Sequence, residues 1–102
     1  MTTTMVRYRV ASEEEAQANA ALVRAVYAEL AERRPGGFRY ETFVMDDGVT
    51  FVHVATTDGR DAPLPALASF QRFRAELEAR CAEPPAFATF TSVGSYPGWL
   101  PG

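Results

Sequence analysis

The chain divides into six segments in the order strand, helix, strand, strand, helix, strand, and no other feature narrows its fold as far. In the first strand, Met5 to Val10, the apolar Val6, Tyr8 and Val10 alternate with Met5, Arg7 and Arg9, so one face is apolar and the other carries two cations. Ser12-Glu13-Glu14-Glu15 then forms a capping box, in which the Ser12 hydroxyl accepts from the Glu15 amide and three acids sit at the positive end of the helix dipole. Ala16, Ala20, Val23, Tyr27 and Leu30 recur at steps of three and four as the buried stripe of this helix. Arg33-Arg34-Pro35-Gly36-Gly37 stops it.

Two strands follow, Phe38 to Met45 and Val49 to Thr56, joined by Asp46-Asp47-Gly48, a short acidic connection that signals a hairpin. Its register has two solutions. Asp47-Gly48 as a two-residue turn pairs Val44 with Phe51 and Thr42 with His53, whereas a three-residue bulged turn pairs Glu41 with His53. The second strand is apolar on both faces, with Val49, Phe51 and Ala55 on one and Val52 and Val54 on the other, which is unlike a half-buried strand. A linker from Thr57 to Pro65 leads to a second helix, Ala66 to Cys81, with Leu67, Phe70, Phe73, Leu77 and Cys81 on its stripe. Pro84-Pro85 follow it, and the last strand spans Phe87 to Tyr96.

This order predicts an α+β fold of the ferredoxin-like β-α-β-β-α-β kind, a single domain over residues 1–96 with a tail at 97–102. Both helices then cover one face of an antiparallel sheet. Val52, Val54, Phe43 and Met45 on the other face call for cover as well, and a second copy of the chain supplies it, giving a homodimer through sheet faces.

Composition removes several kinds of function. Ten basic residues face thirteen acidic ones, and no basic run exceeds Arg33-Arg34, so there is no footprint for nucleic acid. All ten are arginine, which excludes a Schiff-base or phosphate-loop lysine. The single Cys81 cannot close an internal disulfide, and Arg7 and Arg9 interrupt the region where a signal peptide needs an apolar core; a cytoplasmic protein is expected. No apolar run approaches the roughly 20 residues that cross a membrane. With no Gly-rich dinucleotide loop and no ligand cluster, neither cofactor nor metal is expected.

The run Val6-Arg7-Tyr8-Arg9-Val10, the Glu-rich entry to the first helix, and Phe70-Gln71-Arg72-Phe73-Arg74-Ala75-Glu76-Leu77 before Pro84-Pro85 resemble the antibiotic biosynthesis monooxygenase-like domains of the dimeric α+β barrel superfamily. The resemblance implies a homodimeric barrel with a small-molecule pocket in each subunit between sheet and helices. It also implies a cofactor-independent monooxygenase acting on small aromatic or apolar molecules, or a non-enzymatic dimeric domain that binds a small ligand or stabilises an assembly. Haem-degrading relatives place an asparagine on the first strand, a tryptophan in the sheet and a histidine on the second helix. Here the only histidine is on the third strand, the only tryptophan is Trp99 in the tail, and Asn19 is in the first helix, so haem degradation is disfavoured. Of the Tyr, Trp and Asn side chains around the pocket of polyketide-oxidising relatives, this chain offers Tyr8, Tyr27, Tyr40 and Tyr96 by residue type.

His53 is the leading catalytic candidate, as a proton acceptor whose pKa lies near neutrality, against the commoner case of a satisfied structural histidine. Tyr8 and Tyr40 are hydrogen-bonding candidates on strands, against the ordinary case of core aromatics with their hydroxyls at an edge. Phe51, Phe70, Phe73 and Tyr27 are expected to line the pocket. Arg7 and Arg9 are expected to pair with acids such as Glu41, Cys81 to be an inert small hydrophobe, and Trp99 to be a loose end or a plug on a partner subunit. Ser69, Ser92 and Ser95 have no adjacent base, which leaves a nucleophilic triad without support.

Overall fold

The computed structural model describes residues 2–58, 63–96 and 98. Its elements are β1 (Thr2–Val10), α1 (Glu13–Arg33), β2 (Phe38–Val44), β3 (Thr50–Thr57), a 3-10 turn at Leu64–Ala66, α2 (Ala68–Ala75), α3 (Leu77–Arg80) and β4 (Cys81–Phe90). The strands form one antiparallel sheet in the order β2-β3-β1-β4, the ferredoxin-like arrangement. Tyr8 and Val10 of β1 and Phe51 of β3 pack with Ala16, Val23 and Val26 of α1 and Phe73 of α2 into the core. The role proposed for Trp99 lies outside the described residues.

α1 begins on its N-cap, with Ser12 Oγ accepting from the Glu15 amide at 3.2 Å. It ends at Arg34, which takes the left-handed conformation (φ 48°) and donates its amide to the Leu30 carbonyl at 2.8 Å. Pro35 disfavours the helical region at Arg34, so the closing turn forms here on a residue other than glycine. Gly37 (φ +68°) needs its missing Cβ, which would collide with the Asp58 carboxylate.

The hairpin has the register of the two-residue solution, with Val44 opposite Phe51 and Thr42 opposite His53. The chain nevertheless turns over more residues than that solution assumed. Gly48 (φ +76°) donates to the Met45 carbonyl, Met45 donates to the Thr50 carbonyl, and the Asp47 carboxylate accepts from the amides of Val49 and Thr50 and from the Thr50 hydroxyl. Asp47 thus replaces the ladder bonds that a tighter turn would have kept.

The second half departs from the sequence expectation in three places. The helix expected over Ala66 to Cys81 breaks at Glu76 (φ −126°) into α2 and α3, and the Phe73 carbonyl beside the break accepts from Arg80 Nη2 at 2.9 Å. Cys81 does not close a helical stripe but opens β4, which ends at Phe90 rather than Tyr96; residues 91–96 form no regular element. Pro84-Pro85 lie inside that strand. Arg7 pairs with Ala86 and Arg9 with Glu83, so both prolines sit opposite Tyr8 in a bulge, on an edge strand where a missing N–H costs little. Arg9 reaches Glu83 at 3.4 Å, and Glu41 pairs with Arg39 at 3.7 Å instead of with Arg7 or Arg9.

Glu29 joins α1 to α2. Its Oε1 accepts from the Ser69 hydroxyl (2.6 Å) and amide (3.0 Å), capping the start of α2, while Arg33 donates to Oε2 at 2.9 Å. These bonds, Ser69's first and Arg33's after, hold the carboxyl below its ordinary value. A depressed folded-state pKa gives stability that is present above the unfolded-state value and is lost as pH falls through the folded-state value. Glu29→Gln is therefore expected to unfold at a lower temperature than the parent at about pH 7, with the gap closing on acidification. An unchanged gap through the carboxylate range, followed by calorimetry, would remove Glu29 from this role.

Candidate functional site

The pleat places Tyr8, His53 and Tyr40 together. Val6 pairs with His53 and Tyr8 with Phe51, so Tyr8 and His53 are diagonal neighbours on the helix-covered face; Tyr40, opposite Ala55, is diagonal to His53 from the other side. Tyr8 Oη lies 2.7 Å from His53 Nε2, Tyr40 Oη 2.6 Å from Nδ1, and Thr42 Oγ1 3.1 Å from Nδ1. Tyr27 Oη bonds Thr42 Oγ1 at 2.8 Å.

Behind Tyr8 the line continues into the helices. Asn19 of α1, fully buried, donates from Nδ2 to Tyr8 Oη at 2.7 Å, and Arg80 of α3 donates to Asn19 Oδ1 from Nε (3.2 Å) and Nη2 (3.0 Å). The Arg80 guanidinium is buried over the Phe73 ring, 5.7 Å from its centroid, and among the described residues no carboxylate pairs with it. Among the described residues its charge is met by an amide oxygen and a carbonyl.

Tyr8, His53 and Tyr40 of this network floor a cavity of about 390 Å³ between the sheet and the α2–α3 segment, a size that suits a small ring system. Val6, Ala55, Leu64, Phe70, Phe73 and Leu77 form its apolar walls, while Arg74, Glu76, Glu78, Pro84, Pro85 and the exposed Phe87 stand around it. Burial lowers the His53 pKa to about 4 and raises both the Tyr8 and Tyr40 phenols, so imidazole and phenols alike are neutral near pH 7.

Of the residues singled out from sequence, His53, Tyr8, Tyr40, Phe70 and Phe73 all border this cavity. Phe51 does not; it is buried and stacked on Tyr8, with centroids 5.6 Å apart. Tyr27 stacks on Tyr40 at 5.3 Å and borders a second, more open depression with Leu30 and Phe38. Arg80 carried no expectation from sequence, and Asn19 entered only as an asparagine away from the first strand. Asn19 follows Ala16 by three residues and precedes Val23 by four, and Arg80 follows Leu77 by three, so both are polar residues at positions of an apolar stripe. That misfit was the available signal.

No protein-family model and no curated protein sequence matches the chain significantly. Solved structures do. One described as an antibiotic biosynthesis monooxygenase superposes with a TM-score of 0.72 at 18% identity, covering 92% of this chain and all of the other. The chain has the antibiotic biosynthesis monooxygenase fold. The same fold is seen in SnoaB of Streptomyces nogalater, described as a cofactor-independent oxygenase, with a TM-score of 0.61, 25% identity and coverage of 94% and 96% of the two chains. A dimeric ferredoxin-like protein from an uncultured marine organism matches at 0.61 and 11% identity over 93% and 90%. Among the described residues of this monooxygenase-like domain, no group of three His, Cys, Asp or Glu side chains could hold a metal ion, and no helix is long and apolar enough to cross a membrane.

Proposed function

We propose that the domain is a cofactor-independent oxygenase of a small, apolar aromatic molecule held in the cavity over Tyr8, His53 and Tyr40. The observation that carries this reading is the hydrogen-bonded phenol–imidazole–phenol line along a chamber whose walls are mainly apolar. Dioxygen is the oxidant. A ring methylene acidified by neighbouring phenolic rings gives its proton to the line; the carbanion reduces dioxygen, one oxygen atom stays on carbon as a ketone, and the other leaves as water with the two hydrogens. The burial that holds His53 neutral penalises an isolated imidazolium, but an imidazolium formed beside the substrate anion is paired as it appears. Proton removal is thereby tied to the presence of substrate.

The protein is proposed to act as a homodimer through its open sheet face. That face carries Val52 and Val54 of β3 with the exposed Phe43 (51%), Met45 (46%) and Phe90 (45%), set among Arg7 and Glu41.

A thermal-shift screen of phenols and quinols, followed by oxygen uptake with each binder in metal-free buffer without flavin, tests the activity. Binders that consume oxygen are expected, and His53→Gln is expected to keep binding while slowing uptake by roughly 10²–10⁴-fold, the usual worth of a positioned acid–base group. A screen in which nothing binds would sink the proposal. The second reading, a ligand-binding domain without turnover, is favoured by the fact that both His53 ring nitrogens already have protein partners. It is the outcome if phenols bind and none consumes oxygen.

A further inference from the structure

We infer that Arg80 and Asn19 are a positioning pair that orients the hydrogen bonds through Tyr8 and so holds His53 in the tautomer with its hydrogen on Nδ1 and its acceptor lone pair on Nε2. The argument is one of elimination. Arg80 has only donors, so the Asn19 atom facing it is the oxygen, and Nδ2 is left to donate to Tyr8 Oη. With an incoming donor from Asn19, the Tyr8 hydroxyl hydrogen points to the one side-chain acceptor that meets it among the described residues, His53 Nε2 at 2.7 Å. An Nε2–H would put two hydrogens between the pair and leave one buried without an acceptor, at a cost that the native arrangement avoids. The imidazole hydrogen therefore lies on Nδ1, between the Tyr40 and Thr42 oxygens.

The catalytic consequence rests on the proposed function. A substrate proton passes to the Tyr8 oxygen as the Tyr8 hydrogen passes to Nε2. One O–H bond forms on Tyr8 while another breaks, Tyr8 ends neutral, and the products are the substrate anion and an imidazolium. Asn19 and Arg80 touch neither; they fix the direction of transfer.

The chain has a single histidine, so a protein labelled with ¹⁵N only in histidine reports one pair of ring nitrogens. For the parent protein we expect a protonated, pyrrole-type Nδ1 and an unprotonated, pyridine-type Nε2 in long-range ¹H–¹⁵N spectra. Asn19→Asp should exchange them: a carboxylate accepts from Arg80 and from Tyr8 alike, the Tyr8 hydrogen turns away, and Nε2 must donate to the Tyr8 oxygen. Arg80→Lys, which keeps a donor towards Asn19, should retain the parent pattern. A parent spectrum with the hydrogen on Nε2 overturns the inference even if neither variant folds, and so does a folded Asn19→Asp with the parent pattern. Because the tautomer is read without ligand, absent oxygen uptake with the expected tautomer refutes the oxygenase reading alone, whereas uptake with the opposite tautomer refutes this inference alone.

Discussion

Asn19→Leu is expected to lose about 3–5 kcal/mol of stability, a large part of the roughly 5–15 kcal/mol that a domain of this kind possesses. Leucine has the branching of asparagine but bulkier methyl groups, so some overpacking adds to a loss that is chiefly electrostatic. Among the described residues Arg80 is left buried with the Phe73 carbonyl as its sole acceptor, and the Tyr8 hydroxyl loses its donor. A buried cation stripped of its partner costs far more than the partner's own hydrogen bond is worth. Asn19→Asp, which supplies a counter-charge at the same position, should retain the fold. Urea denaturation of the three proteins decides the matter. A loss below about 1 kcal/mol for Asn19→Leu would mean that Arg80 reaches other acceptors, and the network would no longer count as a structural support of the site.

Val54→Asp should convert a dimer into a monomer. Val54 lies at the middle of the open sheet face, between Met5 on β1 and Glu41 on β2, so the new carboxylate would be buried against a second subunit and stand directly opposite an acid on its own sheet. An unpaired charge there costs about 3–5 kcal/mol, which weakens self-association by roughly 10²–10³-fold or more. Light scattering at micromolar concentration should show a dimer mass for the parent and a monomer mass for the variant. A parent protein of monomer mass, or a variant that stays dimeric, would overturn sheet-face pairing. The catalytic reading would then lose its expected assembly but not its cavity, which residues of this chain line.

The two variants act on opposite faces of the sheet, and the faces differ in how far the sequence alone described them. On the open face, alternation was enough: Val52 and Val54 on one side of β3, with Phe43 beside them, are apolar by inspection, and strand geometry puts them together wherever the pairing register holds. The element order and the capping box at Ser12 were legible for the same reason, being local; the hairpin register was left with two solutions, and only the structure, by pairing Thr42 with His53, decided that His53 turns towards the helices. The limits of the last helix and strand were not. Pro84-Pro85 signal an end to regular structure when read locally, but a strand with a neighbour on one side only can absorb both in a bulge opposite Tyr8.

For the site, sequence by itself supplied the residue types and little of their relation. Tyr8, Tyr40 and His53 could each be chosen as polar groups on apolar-faced strands, but Tyr8 and His53 are 45 residues apart in sequence, and only sheet pairing sets a phenol on each ring nitrogen. Asn19 and Arg80 are 61 residues apart and meet through the break at Glu76. Local periodicity has no information about such a meeting, because it records which face a residue occupies and not what the opposite face presents. What the sequence determined was therefore the sheet, the helices and the faces they bury. The directed line from Arg80 to Tyr40, and the chamber beside it, exist only because packing desolvates these polar groups together and leaves each to be satisfied by the next.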